Sequence, residues 1–128
     1  MSRKILFRGK HIHAMDSNEH LNGTWVHGYL SDENYIYDKS LEGEFLVDEN
    51  TICQYTGLTD KNGKKIFEGD IVEYGEIYGD VKFGLYSSIN QGFYVEFPED
   101  TLYREELGYW SNKIIVIGNI FDNPELLK

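Results

Sequence analysis

The chain has a single cysteine, Cys53, a single alanine, Ala14, and only two prolines, Pro98 and Pro124. One cysteine excludes an intramolecular disulfide. Between Ile52 and Gln54 it reads as a small buried hydrophobe. With almost no alanine, the chain lacks the strongest helix former and is a poor candidate for a helical bundle. No apolar run approaches the roughly 20 residues that a membrane-spanning helix needs. Met1-Ser2-Arg3-Lys4 is followed by too short an apolar stretch for a signal peptide, so a soluble, cytoplasmic protein is expected. Base is also scarce: 12 Lys and Arg stand against 22 Asp and Glu, a formal net charge of -10. Such a surface repels phosphate backbones, which argues against direct binding to duplex nucleic acid.

What is present points to strands. There are 13 glycines, 10 tyrosines and 7 phenylalanines among 128 residues. Aromatic residues favour pleated, half-buried surfaces, and glycines serve the turns between them. The length suits one domain with a core large enough to stand without disulfide or metal.

Along the chain, alternating or apolar runs predict strands at 4–8, Trp25–Leu30, Tyr35–Tyr37, Phe45–Val47 and Ile52–Tyr55. The histidine-rich segment Gly9–Gly23 reads as a polar connection, and Ser31–Asn34 and Asp48–Asn50 as turns. Asn62-Gly63 is the strongest hairpin signal, because both residues tolerate positive φ. Gly69 permits a tight turn, after which Asp70 is expected to accept backbone N–H bonds. Further strands are predicted at Tyr78–Phe83 and Gly92–Phe97, joined through Asn90-Gln91-Gly92. A helical turn capped by Asp100 is the reading for the stretch that follows. The run Ile114–Phe121 is apolar on both faces, which predicts either a central strand or one covered by another lobe or subunit. Gly118 there marks a bulge or a close approach. Asn123-Pro124 starts a short helix whose Leu126 and Leu127 should dock on the body of the protein. Seven to nine short strands with frequent turns make an all-β fold, a small barrel or sandwich.

Three blocks together resemble the YopX family of phage and prophage proteins. They are Ile5-Leu6-Phe7-Arg8-Gly9-Lys10 with Trp25-Val26-His27-Gly28-Tyr29-Leu30; the long run Gln54 to Val72; and Ile117-Gly118-Asn119-Ile120 with Asn123-Pro124-Glu125-Leu126-Leu127. Their order and spacing extend the resemblance over nearly the whole chain. It implies an SH3-like barrel at about 51–128 with an added N-terminal β-lobe at about 1–50 packed on it. It implies a phage or prophage protein inside a bacterial host, and it supplies no catalytic residue and no cofactor. Gly9–Gly23 is where this chain departs from the family pattern.

Candidate chemistry is thin. His11 and His13 lie on one side of an extended segment, with His20 seven residues on. Asp16 or Glu19 can complete a metal site, but no cysteine pair or helical spacing supports one. Glu68 and Asp70 are two apart, yet Gly69 breaks the strand between them, and a turn cap explains Asp70 without catalysis. Lys61, Lys64 and Lys65 cluster at the hairpin tip, where they serve solvation or contact a phosphate or an acidic partner. Trp25 and Trp110 are candidate interface anchors that core packing also explains. Charge is uneven: Arg3, Lys4, Arg8 and Lys10 precede any acid, and Glu96–Glu106 carries five acids to one arginine. These are either solvated faces or complementary surfaces for self-association. The expected function is a non-enzymatic protein-interaction module, with a protein partner or a second copy. The alternatives are a nucleic-acid-associated or DNA-mimicking acidic regulator, and a small metal-dependent enzyme using the histidine segment.

Overall fold

The computed structural model describes residues 5–12, 23–86, 89–101 and 103–127. The chain divides into two compact units, Met1–Tyr55 and Thr56–Lys128.

The first unit is an antiparallel sheet. Its strands are β1 (Phe7–Lys10), β2 (Trp25–Asp32), β3 (Tyr35–Asp38), β4 (Gly43–Leu46) and the start of β5 (Cys53–Thr59). They lie in the order β4-β3-β2-β1-β5. Burial alternates in β3, with Ile36 and Asp38 inward and Tyr35 and Tyr37 outward, as one-sided packing requires. Val26, Ile36, Phe45 and Val47 form the core, with Phe7 and Ile52 against it. The chain turns out of β3 on Asp38. Its carboxylate accepts from the backbone N of His27 (2.9 Å) and Ser40 (3.0 Å) and from the Ser40 hydroxyl (2.6 Å). The predicted turn at Asp48–Asn50 is a 3-10 turn, Glu49–Thr51, with Asp48 capping Asn50 N. The first strand runs two residues further than its sequence pattern suggests. Lys10 is in β1, and His11 bridges Val47, so the start of the segment read as a connection is ordered strand.

In the second unit the end of β5 pairs with β6 (Lys65–Phe67) as a hairpin. A four-stranded antiparallel sheet follows in the order β10-β7-β8-β9: β7 (Asp70–Tyr74), β8 (Ile77–Tyr86), β9 (Asn90–Glu96) and β10 (Ile115–Asn119). Ile66, Val72, Val81, Val95, Leu107, Trp110, Ile114 and Val116 form its core. The class is all-β, as the composition predicts. The pairing among the described residues closes no barrel, so the SH3-like closure implied by the resemblance is not seen in the ladders.

Several local expectations are corrected. Asn62 does not take positive φ; at the tip only Gly63 does, at 84°, and Asp60 organises the turn instead. One Asp60 oxygen accepts from Asn62 N and Lys64 N, both at 2.9 Å. The other accepts from Val116 N at 2.9 Å, 56 residues away. β10 is therefore an edge strand, not a central one. Its outer backbone groups are met by Asp60 and by Lys61 N, which donates to Ile114 O. Contacts of this kind blunt the edge that an apolar strand would otherwise offer. Asn90-Gln91-Gly92 belongs to β9 and is not a loop, since the β8–β9 ladder extends to Tyr86↔Asn90. Asp100 sits inside a 3-10 turn, Glu99–Thr101, and not at an N-cap position before it. One α-helical turn, α1 (Leu107–Trp110), follows. Gly118 meets both expectations: the β10–β7 register shifts between Val116 and Gly118, and a Cβ there would lie 2.4 Å from Asn123 Oδ1. Asn123 Oδ1 accepts from Asn119 N, and Pro124–Leu127 is a 3-10 turn in which Leu127 is exposed.

Candidate functional site

The strongest site geometry lies on β8, β9 and the segment after them. Asp80 faces Glu96 directly across the ladder, and Lys82 faces Tyr94. Residues two apart on a strand share a face, so Asp80, Lys82, Tyr94 and Glu96 stand together. Lys82 Nζ pairs with Glu96 and lies 3.9 Å from Asp80. Burial pushes the Asp80 carboxyl above its ordinary pKa; the Lys82 charge opposes that and the Glu96 charge adds to it. The Lys82 amine is raised in turn, chiefly by its hydrogen bond to Glu96.

Two cavities meet along Glu96, Phe97 and Pro98. The first, about 340 Å³, is walled by Tyr94, Phe97, Tyr103, Glu96, Glu99 and Glu105. The second, about 280 Å³, holds Tyr78, Asp80 and Lys82. The aromatic walls are braced from beneath. Trp110 meets Phe97 at 5.0 Å, Tyr103 at 5.4 Å and Tyr74 at 4.9 Å between ring centroids. Its indole N–H donates to Arg104 O at 2.7 Å. Arg104, the only base between Glu96 and Glu106, pairs with Glu106 and lies 4.5 Å over the Tyr109 ring. Among the described residues Glu99 has no ion-pair partner. At the outer end of the same strand pair Phe83, Leu85 and Ile89 are 53%, 65% and 84% exposed.

The residues singled out in the sequence fall differently. Trp110 is only 4% exposed. It is a core residue that positions Phe97 and Tyr103, not an interface anchor. Trp25 is half-buried, with the Arg8 guanidinium 4.8 Å and the Lys10 ammonium 5.5 Å from its ring. Lys61, Lys64 and Lys65 are exposed around the hairpin tip. His11 is buried. Its Nδ1 lies 2.8 Å from Leu46 O, so Nδ1 carries the proton, and its ring packs edge-on against Phe45. That is a core histidine. His13, His20, Asp16 and Glu19 lie outside the described residues, as do Arg3 and Lys4. Among the described residues no three His, Cys, Asp or Glu side chains gather as a metal centre. Asp70 is buried and accepts from Phe67 N at 2.8 Å, the turn role expected of it, while Glu68 is half-exposed. Cys53 is buried. Sequence reasoning passed over Asp80, Lys82, Tyr94 and Tyr103. Their period-two spacing was visible, but the pairing of Asp80 with Glu96 needed the register.

The fold and this site define a two-unit antiparallel β protein with an acidic, aromatic-walled cradle on its second unit. The chain matches the family model described as YopX protein over residues 7–128, and it belongs to that family, one of phage-type proteins of unknown function. No curated protein matches it. No helix among the described residues is long and apolar enough to cross a membrane.

Proposed function

We propose that this chain is a non-enzymatic interaction module, encoded by a phage or prophage, that acts in the cytoplasm of the bacterial host by binding a protein. The observation that carries this reading is the outer part of the β8–β9 pair. Phe83, Leu85 and Ile89 expose large apolar side chains there, and Leu85 also lines the larger cavity. Exposed apolar area next to a concave, polar-rimmed site is the composition of a docking surface. Three of the four buried aspartates point the same way, because Asp38, Asp60 and Asp70 accept backbone N–H bonds that hold turns, and the fourth, Asp80, is paired with Lys82. A carboxylate tied into a turn is spent on architecture and is poorly placed for proton transfer.

The test compares the protein with a Leu85→Ser/Ile89→Ser variant in parallel capture experiments, read by quantitative mass spectrometry. A host or phage protein retained by the parent and lost from the folded variant supports the module. Identical captured sets, or none, overturn it. Self-association through the same surface belongs to this reading. It is seen as a concentration-dependent sedimentation coefficient that the double substitution abolishes.

A further inference from the structure

We infer that the cradle around Glu96 receives a basic, extended segment of the partner protein, seating its arginine or lysine side chains against the carboxylates while its apolar side chains cover Leu85 and Ile89. This rests on the interaction-module reading and names the chemistry of the partner. Carboxylates alone make a solvated face; three further features set this one apart. The acids line a real cavity of about 340 Å³ with tyrosine and phenylalanine walls. Aromatic faces and carboxylates together are what a guanidinium recognises, through stacking and charge-assisted hydrogen bonds. Second, Asp80 in the adjoining cavity is 9% exposed. Its ion pair with Lys82, at 3.9 Å, is long, and Lys82 is shared with Glu96. Two carboxylates sharing one ammonium, one of them buried, gain from a second cation. Third, the one base of the acidic stretch is engaged outside the cavity lining: Arg104 pairs with Glu106 and Tyr109. Lys82 shows the kind of group the cradle takes, since its own ammonium already bridges Glu96 and Asp80.

The occupant is a peptide segment and not a free polyamine, because the exposed Leu85 lines the same cavity as the acids and exposed Ile89 lies further along the strand pair. A partner that offers charge alone leaves them in water. It is not nucleic acid, whose phosphates the same carboxylates repel.

The probe is a fluorescein-labelled peptide of alternating arginine and leucine, followed by fluorescence anisotropy against the full chain at physiological salt. A peptide with glutamate in place of arginine is the control. The arginine peptide binds and the glutamate peptide does not. The Glu99→Gln/Glu105→Gln pair weakens binding by about tenfold or more, equivalent to about 1.4 kcal/mol. Tyr103→Ala weakens it without changing charge. Glu33→Gln/Glu44→Gln, two exposed acids of the first unit, leaves it unchanged. Equal weakening by both double variants overturns the site in favour of general electrostatics, and no binding of the arginine peptide overturns it outright. Displacement by spermidine as effectively as by unlabelled peptide overturns the peptide segment as occupant. If the Leu85→Ser/Ile89→Ser comparison succeeds while the arginine peptide fails, the interaction module stands and the basic partner falls. If no protein depends on Leu85 and Ile89, the module itself falls.

Discussion

In the first unit four apolar side chains, Val26, Ile36, Phe45 and Val47, make the buried cluster, while Arg8, His11, Asp38 and Thr51 are also buried. In the second unit the cluster has eight apolar members and includes Trp110 and three isoleucine or leucine side chains. Asp60, Asp70, Asp80 and Asn119 are likewise buried in the second, so what separates the units is the apolar term, which is smaller in the first. Both turn the chain on a buried aspartate, Asp38 in one and Asp60 in the other. Burial by itself would raise each carboxyl. The donors around them outweigh it, chiefly the Ser40 hydroxyl at Asp38 and Val116 N–H at Asp60, and hold both pKa values below the ordinary one. The difference between the units predicts that apolar truncation hurts the second most, while the tightest backbone approach, at Gly28, puts the largest steric insult in the first.

The largest effect is expected from Trp110→Ala, about 3–5 kcal/mol, the usual cost of emptying a buried aromatic site. Hydrogen exchange read by mass spectrometry should show residues 56–128 losing protection well beyond residues 1–55. Uniform loss over both would break the distinction. Next is Gly28→Ala. A Cβ there would lie 1.8 Å from Tyr37 O, which is backbone within the β2–β3 ladder and has no rotamer to escape into. A cost at the upper end of overpacking, about 3 kcal/mol, is expected from chemical denaturation. Deprotection should fall in residues 1–55 this time.

Asp60→Ala should cost on the order of 2 kcal/mol at neutral pH, because it strips an acceptor from three backbone N–H groups. The sign with pH follows from the lowered folded pKa. Asp60 stabilises fully above the unfolded carboxylate pKa of about 3.9, and that contribution is lost as pH falls through the folded value. The gap between parent and Asp60→Ala in a denaturation series should therefore shrink below about pH 4. Asp38→Ala should do the same for the first unit. A gap that stays constant into acid would show that neither aspartate works through its charge.

Much of this scaffold was legible because strands and turns are written locally. The alternation Tyr35-Ile36-Tyr37 gave β3, the Asn62-Gly63 pair gave a hairpin, and Gly69-Asp70 gave a turn with its cap. What was not legible depends on partners far along the chain. Nothing near Asp60 says that its second oxygen meets Val116, so β10 read as either central or covered by another lobe or subunit, and it is an edge strand met by a hairpin tip. His11 looked like part of a polar connection because its bridge to Val47 spans 36 positions. Trp110 could be anchor or core until Phe97, Tyr103 and Tyr74 were placed around it. The cradle was half visible: the acidic stretch from Glu96 was evident, but Asp80 and Lys82 join it only through the β8–β9 register. Periodicity names the face of a strand, and register alone says which faces meet.

The smallest expected effect is also the most diagnostic of the cradle. Asp80 and Glu96 are like charges directly opposite each other, an arrangement that costs stability unless a cation intervenes. Burial raises the Asp80 pKa, so its folded form holds a proton more readily than the unfolded chain does. The sign is the reverse of that at Asp38 and Asp60. Asp80 favours the folded state below the unfolded carboxylate pKa, and this is lost as pH rises through the folded value. At neutral pH its charge is a cost, softened by Lys82. Asp80→Asn should therefore leave the protein slightly more stable at pH 7 and no more stable at pH 3, as read by thermal melts at both. The same substitution removes a buried charge from the cradle and should weaken the arginine–leucine peptide. A residue whose replacement strengthens the fold and weakens the complex is held for binding. If Asp80→Asn destabilises the protein at pH 7, the carboxylate is structural, as Asp60 and Asp70 of the same unit are.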